Sequence, residues 1–190
     1  MKRKAISILL LLLMIMTTVS APAESKMSEK EKVAHLKEIV QGYLDSEELH
    51  YSYDEEQEIF DMRYSLECTL SSCDVRLVLY DDMLSVTAGP SLRVPEKNKD
   101  ATSIYLTLVN NNCYYAQFRM DYQSGSLVCR AAQVIEQVFP TADEVDTLLN
   151  STLYTLDKYG DGLNKVAQLG YDPHQAFKEC IEEEKPANNL

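Results

Sequence analysis

From Phe60 to Ala88 the apolar residues fall at every second position. Phe60, Met62, Tyr64, Leu66 and Cys68 lie on one side of an extended segment, and Asp61, Arg63, Ser65 and Glu67 on the other. Cys73, Val75, Leu77 and Leu79 repeat the pattern, and Leu84, Val86 and Ala88 do so again after Asp81-Asp82. A period of two marks strands with one buried and one solvated face. Three such runs joined by short turns form an antiparallel meander, whose apolar face needs a cover from elsewhere in the chain.

Helices supply that cover. Ser28 and Glu31 form a capping box, after which Val33, Leu36, Val40, Tyr43 and Leu44 recur at helical spacing to about Leu49. Thr141 and Glu144 repeat the box ahead of Val145, Leu148, Leu149, Thr152, Leu153 and Leu156, with Gly160 as the expected stop. Residues 163–169 read as a short helical segment, and Asp172-Pro173 caps a last helix carrying Phe177, Cys180 and Ile181.

Between these sets, residues 89–100, with Pro90 and Pro95, read as a mobile loop. Residues 101–112 suit a helix or a strand. Residues 114–122 alternate and turn through Ser124-Gly125 into Leu127, Cys129 and Ala131, a second hairpin in which Cys129 faces Met120. Tyr51, Tyr53, Tyr105, Tyr114, Tyr115 and Tyr122 fall at alternating positions, some of which must project outward as amphipathic contact surface. The fold class is α+β.

Turning the first hairpin about residues 69–72 sets Cys68 opposite Cys73, Leu66 opposite Val75, Tyr64 opposite Leu77 and Met62 opposite Leu79. A one-residue slip would send one apolar set to solvent. In this register Cys68 and Cys73 are close enough to bridge. An oxidising compartment would close the disulfide, and reducing surroundings would leave two small buried thiols. The chain has five cysteines, so at least one is unpaired or paired between molecules.

The compartment is set by the N-terminus. Met1, Lys2, Arg3 and Lys4 precede an apolar run from Ala5 to Met16 that is too short to span a bilayer, and Ala21-Pro22-Ala23 offers a cleavage site. Residues 1–23 are therefore expected to be a signal peptide, with a retained anchor as the alternative. Residues 24–32 form a polar lead-in, 33–182 a single domain, and 183–190 a disordered tail. The expected location is secreted or cell envelope, with no membrane contact after cleavage. The whole chain carries a net charge of −12; loss of the three basic residues of the signal leaves 15 basic against 30 acidic side chains, or −15. Such a surface repels phosphate backbones and anionic lipid, which excludes nucleic acid as the expected partner.

No catalytic or metal set emerges. His35, His50 and His174 are scattered, no C-x-x-C or G-x-S-x-G occurs, and carboxylate pairs such as Asp81-Asp82 sit at turns. Asp157 to Gly162 follows a calcium loop only loosely, since Tyr159 and Gln168 stand where ligands are required. No cofactor is expected.

The order is helix, three antiparallel strands, helix, two antiparallel strands and C-terminal helices. The carrying residues are Leu36-Lys37-Glu38-Ile39-Val40, the strand from Val75 to Tyr80 with Asp81-Asp82, and Leu108-Val109-Asn110-Asn111-Asn112 before Tyr115-Ala116-Gln117-Phe118-Arg119-Met120-Asp121. The helix from Pro140-Thr141 to Leu156 adds to them. Together, over about residues 33–170, they resemble the YbjN-like family, whose fold is similar to that of type III secretion chaperones. The resemblance tips residues 101–112 toward helix. It implies a small, often dimeric sensory transduction regulator that acts by binding other proteins, and it carries over no site residue. The expected function is an exported, non-enzymatic protein- or peptide-binding module using its outer sheet face or a helix groove. The alternative is an envelope hydrolase, or an inhibitor of a basic envelope hydrolase.

Overall fold

The computed structural model describes residues 27–136 and 138–182. The expected signal segment and tail lie outside them. The first helix, α1 (Glu29–Ser46), starts at the expected box: Ser28 Oγ accepts from Glu31 N, and the Glu31 carboxylate accepts from Ser28 N at 2.7 Å. It buries Leu36, Val40, Tyr43 and Leu44.

Six strands follow, β1 (Ser52–Asp54), β2 (Ile59–Ser65), β3 (Ser72–Leu79), β4 (Met83–Pro90), β5 (Gln117–Met120) and β6 (Leu127–Val134). All pair antiparallel in the order β1-β2-β3-β4-β6-β5. Phe60, Met62, Val75, Leu77, Leu84, Val86, Phe118, Cys129 and Ala131 form the inner face and are buried. Helices α2 (Lys99–Asn110), α3 (Ala142–Leu169) and α4 (Pro173–Glu182) join α1 over that face, with Tyr105, Leu149, Leu156, Leu163 and Ala176 in one core with it.

The first hairpin keeps the expected faces and changes register. Tyr64 pairs with Cys73, Met62 with Val75 and Phe60 with Leu77, so Cys68 is not opposite Cys73. This register is four residues from the expected one, and an even slip leaves every side chain on its own face, so alternation is blind to it. The connection decides. Residues 66–71 fold back on themselves, with Leu66 N donating to Ser71 O and Ser71 at φ 64°. Asp157 and Asp161, one turn apart on α3, accept from Cys68 N at 2.8 Å and Thr69 N at 2.7 Å. Helix and loop thus satisfy each other's polar groups. The second hairpin is slipped by two: Phe118, not Met120, lies opposite Cys129, because residues 121–126 form a wider turn tied by Asp121.

Two further expectations are corrected. Residues 89–100 are pinned rather than loose: β4 runs to Pro90, Val94 is buried and donates to Gly125 O, and Asn98 donates to Ala167 O at 2.9 Å. Lys99, almost fully buried, bridges Glu96 and Gln123 O. Gly160 does not stop α3, which continues for 28 residues to a left-handed Gly170. Gly160 and Gly162 are buried packing positions. A β-carbon would lie 2.4 Å from Cys68 Sγ at the first and 2.3 Å from Tyr105 Oη at the second.

The sheet's two edges differ. At β5 the side-chain amide of Asn110 stands where a neighbouring strand would, donating to Phe118 O at 2.9 Å and accepting from Phe118 N at 2.8 Å. The opposite edge, β1, is three residues long and was not anticipated as a strand.

Hydrogen bonds from the capped backbones hold the Glu31 and Glu144 carboxyls below their ordinary range. A depressed folded value means that stabilisation is present above the unfolded value of about 4.3 and is lost as pH falls through the folded one. Glu144→Gln should therefore melt lower than wild type at pH 7, and by a smaller margin at pH 3. Melting curves at both values check this.

Candidate functional site

The cysteines named by the sequence occupy separate elements. Cys73 lies on β3 opposite Tyr64 and Cys68 in the β2–β3 connection against α3, both buried free thiols. The closeness that argued for a bridge came from the register, which the fold replaces. Burial pushes both thiols up to about 11, and also raises Cys113 and Cys129. Thiols held protonated are poor nucleophiles and poor metal ligands. Alkylation of the native chain at neutral pH should reach half-buried Cys113 ahead of Cys68, Cys73 and Cys129. Denaturation without reductant should expose five thiols, or three if Cys68 and Cys73 bridge.

Among the described residues no group of three His, Cys, Asp or Glu could hold a metal, and no helix is long and apolar enough to cross a membrane. The Asp157 to Gly162 stretch lies inside α3, where Asp157 and Asp161 serve the β2–β3 loop. A cavity of about 640 Å³ is a shallow groove between α1 and the β1–β2 turn. Its walls are occupied with one another: Tyr53 donates to Glu58, and Lys37 Nζ lies 3.9 Å from the Tyr53 ring centre. Burial and the Glu58 carboxylate raise the Tyr53 hydroxyl, so it stays protonated. Nothing in this groove pairs a nucleophile with a base.

The tyrosines are not a strand surface. Tyr105 is fully buried in α2, and Tyr51 and Tyr53 pack against Phe60. Tyr114 and Tyr115, 97% and 71% exposed, lie in the α2–β5 connection, near exposed Tyr154 of α3.

The outer face of the sheet bears no helix, since the described helices lie on the other side. The pairings set its side chains in rows across the strands. Asp61, Arg76, Thr87, Arg130 and Gln117 form one row; Arg63, Asp74, Gly89, Val128 and Arg119 form the next. Ile59, Val78, Ser85 and Ala132 form a third, with Met83 and Val134 beyond it. Arg76 binds Asp61 at 2.9 Å and Arg63 approaches Asp74 at 3.6 Å. These exposed pairs add little stability, about 0–1 kcal/mol each. Arg130 Nε donates to buried Ser85 Oγ at 2.9 Å and its Nη2 to Met83 Sδ at 3.6 Å, which holds the guanidinium at the border of the apolar strip. Val134 is 68% exposed. The face thus sets Arg63, Arg76 and Arg130, each held by a neighbouring side chain, beside an apolar strip. Sequence alternation placed Arg63 on the polar side but could not show that β6, with Arg130, inserts beside β4.

Residues 37–165 match the YbjN family model, described as "Putative bacterial sensory transduction regulator". The matched span contains the whole sheet and ends within α3. No curated protein matches the chain.

Proposed function

The chain belongs to the YbjN family, and from that premise we propose that it is an exported, non-enzymatic regulatory module that engages a protein or peptide on the outer face of its sheet. The carrying observation is that the described helices leave this face uncovered although it holds an ordered arginine array and an apolar strip. Occupied side chains in the groove beside α1 and protonated thiols also favour binding over turnover. Export rests on the basic, then apolar, character of residues 1–23.

Two measurements test the parts separately. Cell fractionation should recover the chain from envelope or medium beginning at Glu24; a cytoplasmic product beginning at Met1 would sink the export arm. A photo-crosslinking residue at Thr87, mid-face, should give one discrete adduct, and the same residue at exposed Glu38 on α1 should give none. Equal labelling at both positions, or none at Thr87, would overturn the sheet-face reading.

A further inference from the structure

We propose that the outer sheet face receives an acidic segment of a partner protein, its carboxylates on Arg76, Arg130 and Arg119 and its apolar side chains on the adjoining strip. This inference rests on the sheet-face reading above and specifies the chemistry of its occupant.

The charge distribution carries it. Four of the five arginines among the described residues, Arg63, Arg76, Arg119 and Arg130, stand on this one face of a chain whose net charge is −12. No strand contains a lysine, so every strand cation is of the kind that binds carboxylates with a planar fork. The face's acids are confined to one half: Asp61 and Asp74 are engaged by Arg76 and Arg63, and Asp54 lies at the β1 edge. Strands β4, β5 and β6 contain no Asp or Glu. Among the described residues, Arg119 and Arg130 have no carboxylate within ion-pair distance. A guanidinium already oriented by Ser85 loses less freedom on binding than a free one.

Spacing defines the ligand further. Arg76 and Arg130 are separated by β4, so their strands lie about 10 Å apart. Carboxylates at positions i and i+3 of a polyproline II segment, which repeats every three residues with a rise of about 3.1 Å, lie on one side and span about the same distance. The apolar row is two residues further along each strand, about 7 Å away, within reach of side chains on the same segment. A second copy is the poorer occupant, because the acids its face could offer Arg119 and Arg130, Asp61 and Asp74, are already engaged by Arg76 and Arg63. Nucleic acid offers suitable phosphates but carries a charge every 1.7 Å or so, and Asp81, Asp82 and Glu136 border the end of the sheet beyond the apolar row.

The test uses the purified full chain and three labelled probes: a twelve-residue peptide with Glu at every third position and leucines between, its Gln counterpart, and a single-stranded DNA of equal charge. Anisotropy at about 50 mM salt should show the Glu peptide binding at least tenfold more tightly than the other two. Arg119→Gln with Arg130→Gln should remove at least tenfold of that affinity, Arg119→Lys with Arg130→Lys should restore part of it, and Lys30→Gln on α1 should change nothing. Circular dichroism confirms that each variant is folded. Equal binding of the Gln peptide, or DNA binding as tight and equally dependent on the two arginines, would overturn the proposal. If the Thr87 adduct survives the Arg119/Arg130 double substitution undiminished, the sheet-face reading stands and the acidic partner falls. If the Glu peptide binds as described but Thr87 traps nothing in cells, the surface chemistry stands and the functional reading falls.

Discussion

Gly162→Ala should destabilise the protein by about 1–3 kcal/mol, and Gly162→Val should leave no stable fold. Alanine is the better helix former by about 1 kcal/mol, so a loss requires packing to outweigh propensity. It does so because the added carbon would lie 2.3 Å from Tyr105 Oη and 2.8 Å from Cys180 Sγ. Tyr105 is fully buried and donates to Tyr159 O at 2.7 Å. Moving it aside strands a buried hydroxyl, which costs about 1–3 kcal/mol. Gly42 on α1 is the control, because a β-carbon there meets nothing within 4 Å. Gly42→Ala should stabilise by up to about 1 kcal/mol. Urea unfolding of both variants decides, and a Gly162→Ala protein as stable as Gly42→Ala would remove the packing account.

The Asp157→Ala, Asp161→Ala double variant should lose about 1–3 kcal/mol, chiefly from the part-buried Cys68 amide deprived of its acceptor, because water can replace Asp161 at the exposed Thr69 amide. Both carboxylates bind the backbone of the β2–β3 connection, at Cys68 N and Thr69 N. With them gone the connection is freed from α3, and Cys68, now only 8% exposed, should be alkylated much faster than in wild type. Stability within about 0.5 kcal/mol of wild type, with Cys68 still protected, would show that the helix does not hold this loop.

These two sites also mark where the sequence stops speaking. Alternation placed Phe60, Val75, Leu77 and Val86 on the inner face, and both capping boxes fixed their helix starts, because each signal is local. The pairing of Tyr64 with Cys73 is not local. It depends on Asp157, some ninety positions away, and the even slip that produced it moves no side chain across the sheet. Gly160 was legible as a glycine but not as a contact, since the Cys68 sulfur it accommodates arrives from another element. The three residues of β1 are too few to display a period. For the binding face, Arg63 and Arg76 could be assigned to the polar side from their own strands. That Arg130 continues the row of Arg76 follows only once β6 is seen to insert between β4 and β5.

Asn110 has a consequence for assembly. Its amide occupies the backbone N–H and C=O of Phe118, so a foreign strand approaching the β5 edge must first displace it. Sheet-to-sheet joining of two copies then favours β1 from each, an arrangement related by a two-fold axis that leaves the obstructed β5 edges facing outward. Chain growth needs two open edges per subunit, and the Asn110 amide obstructs one of them, which biases edge pairing toward two copies and against a fibre.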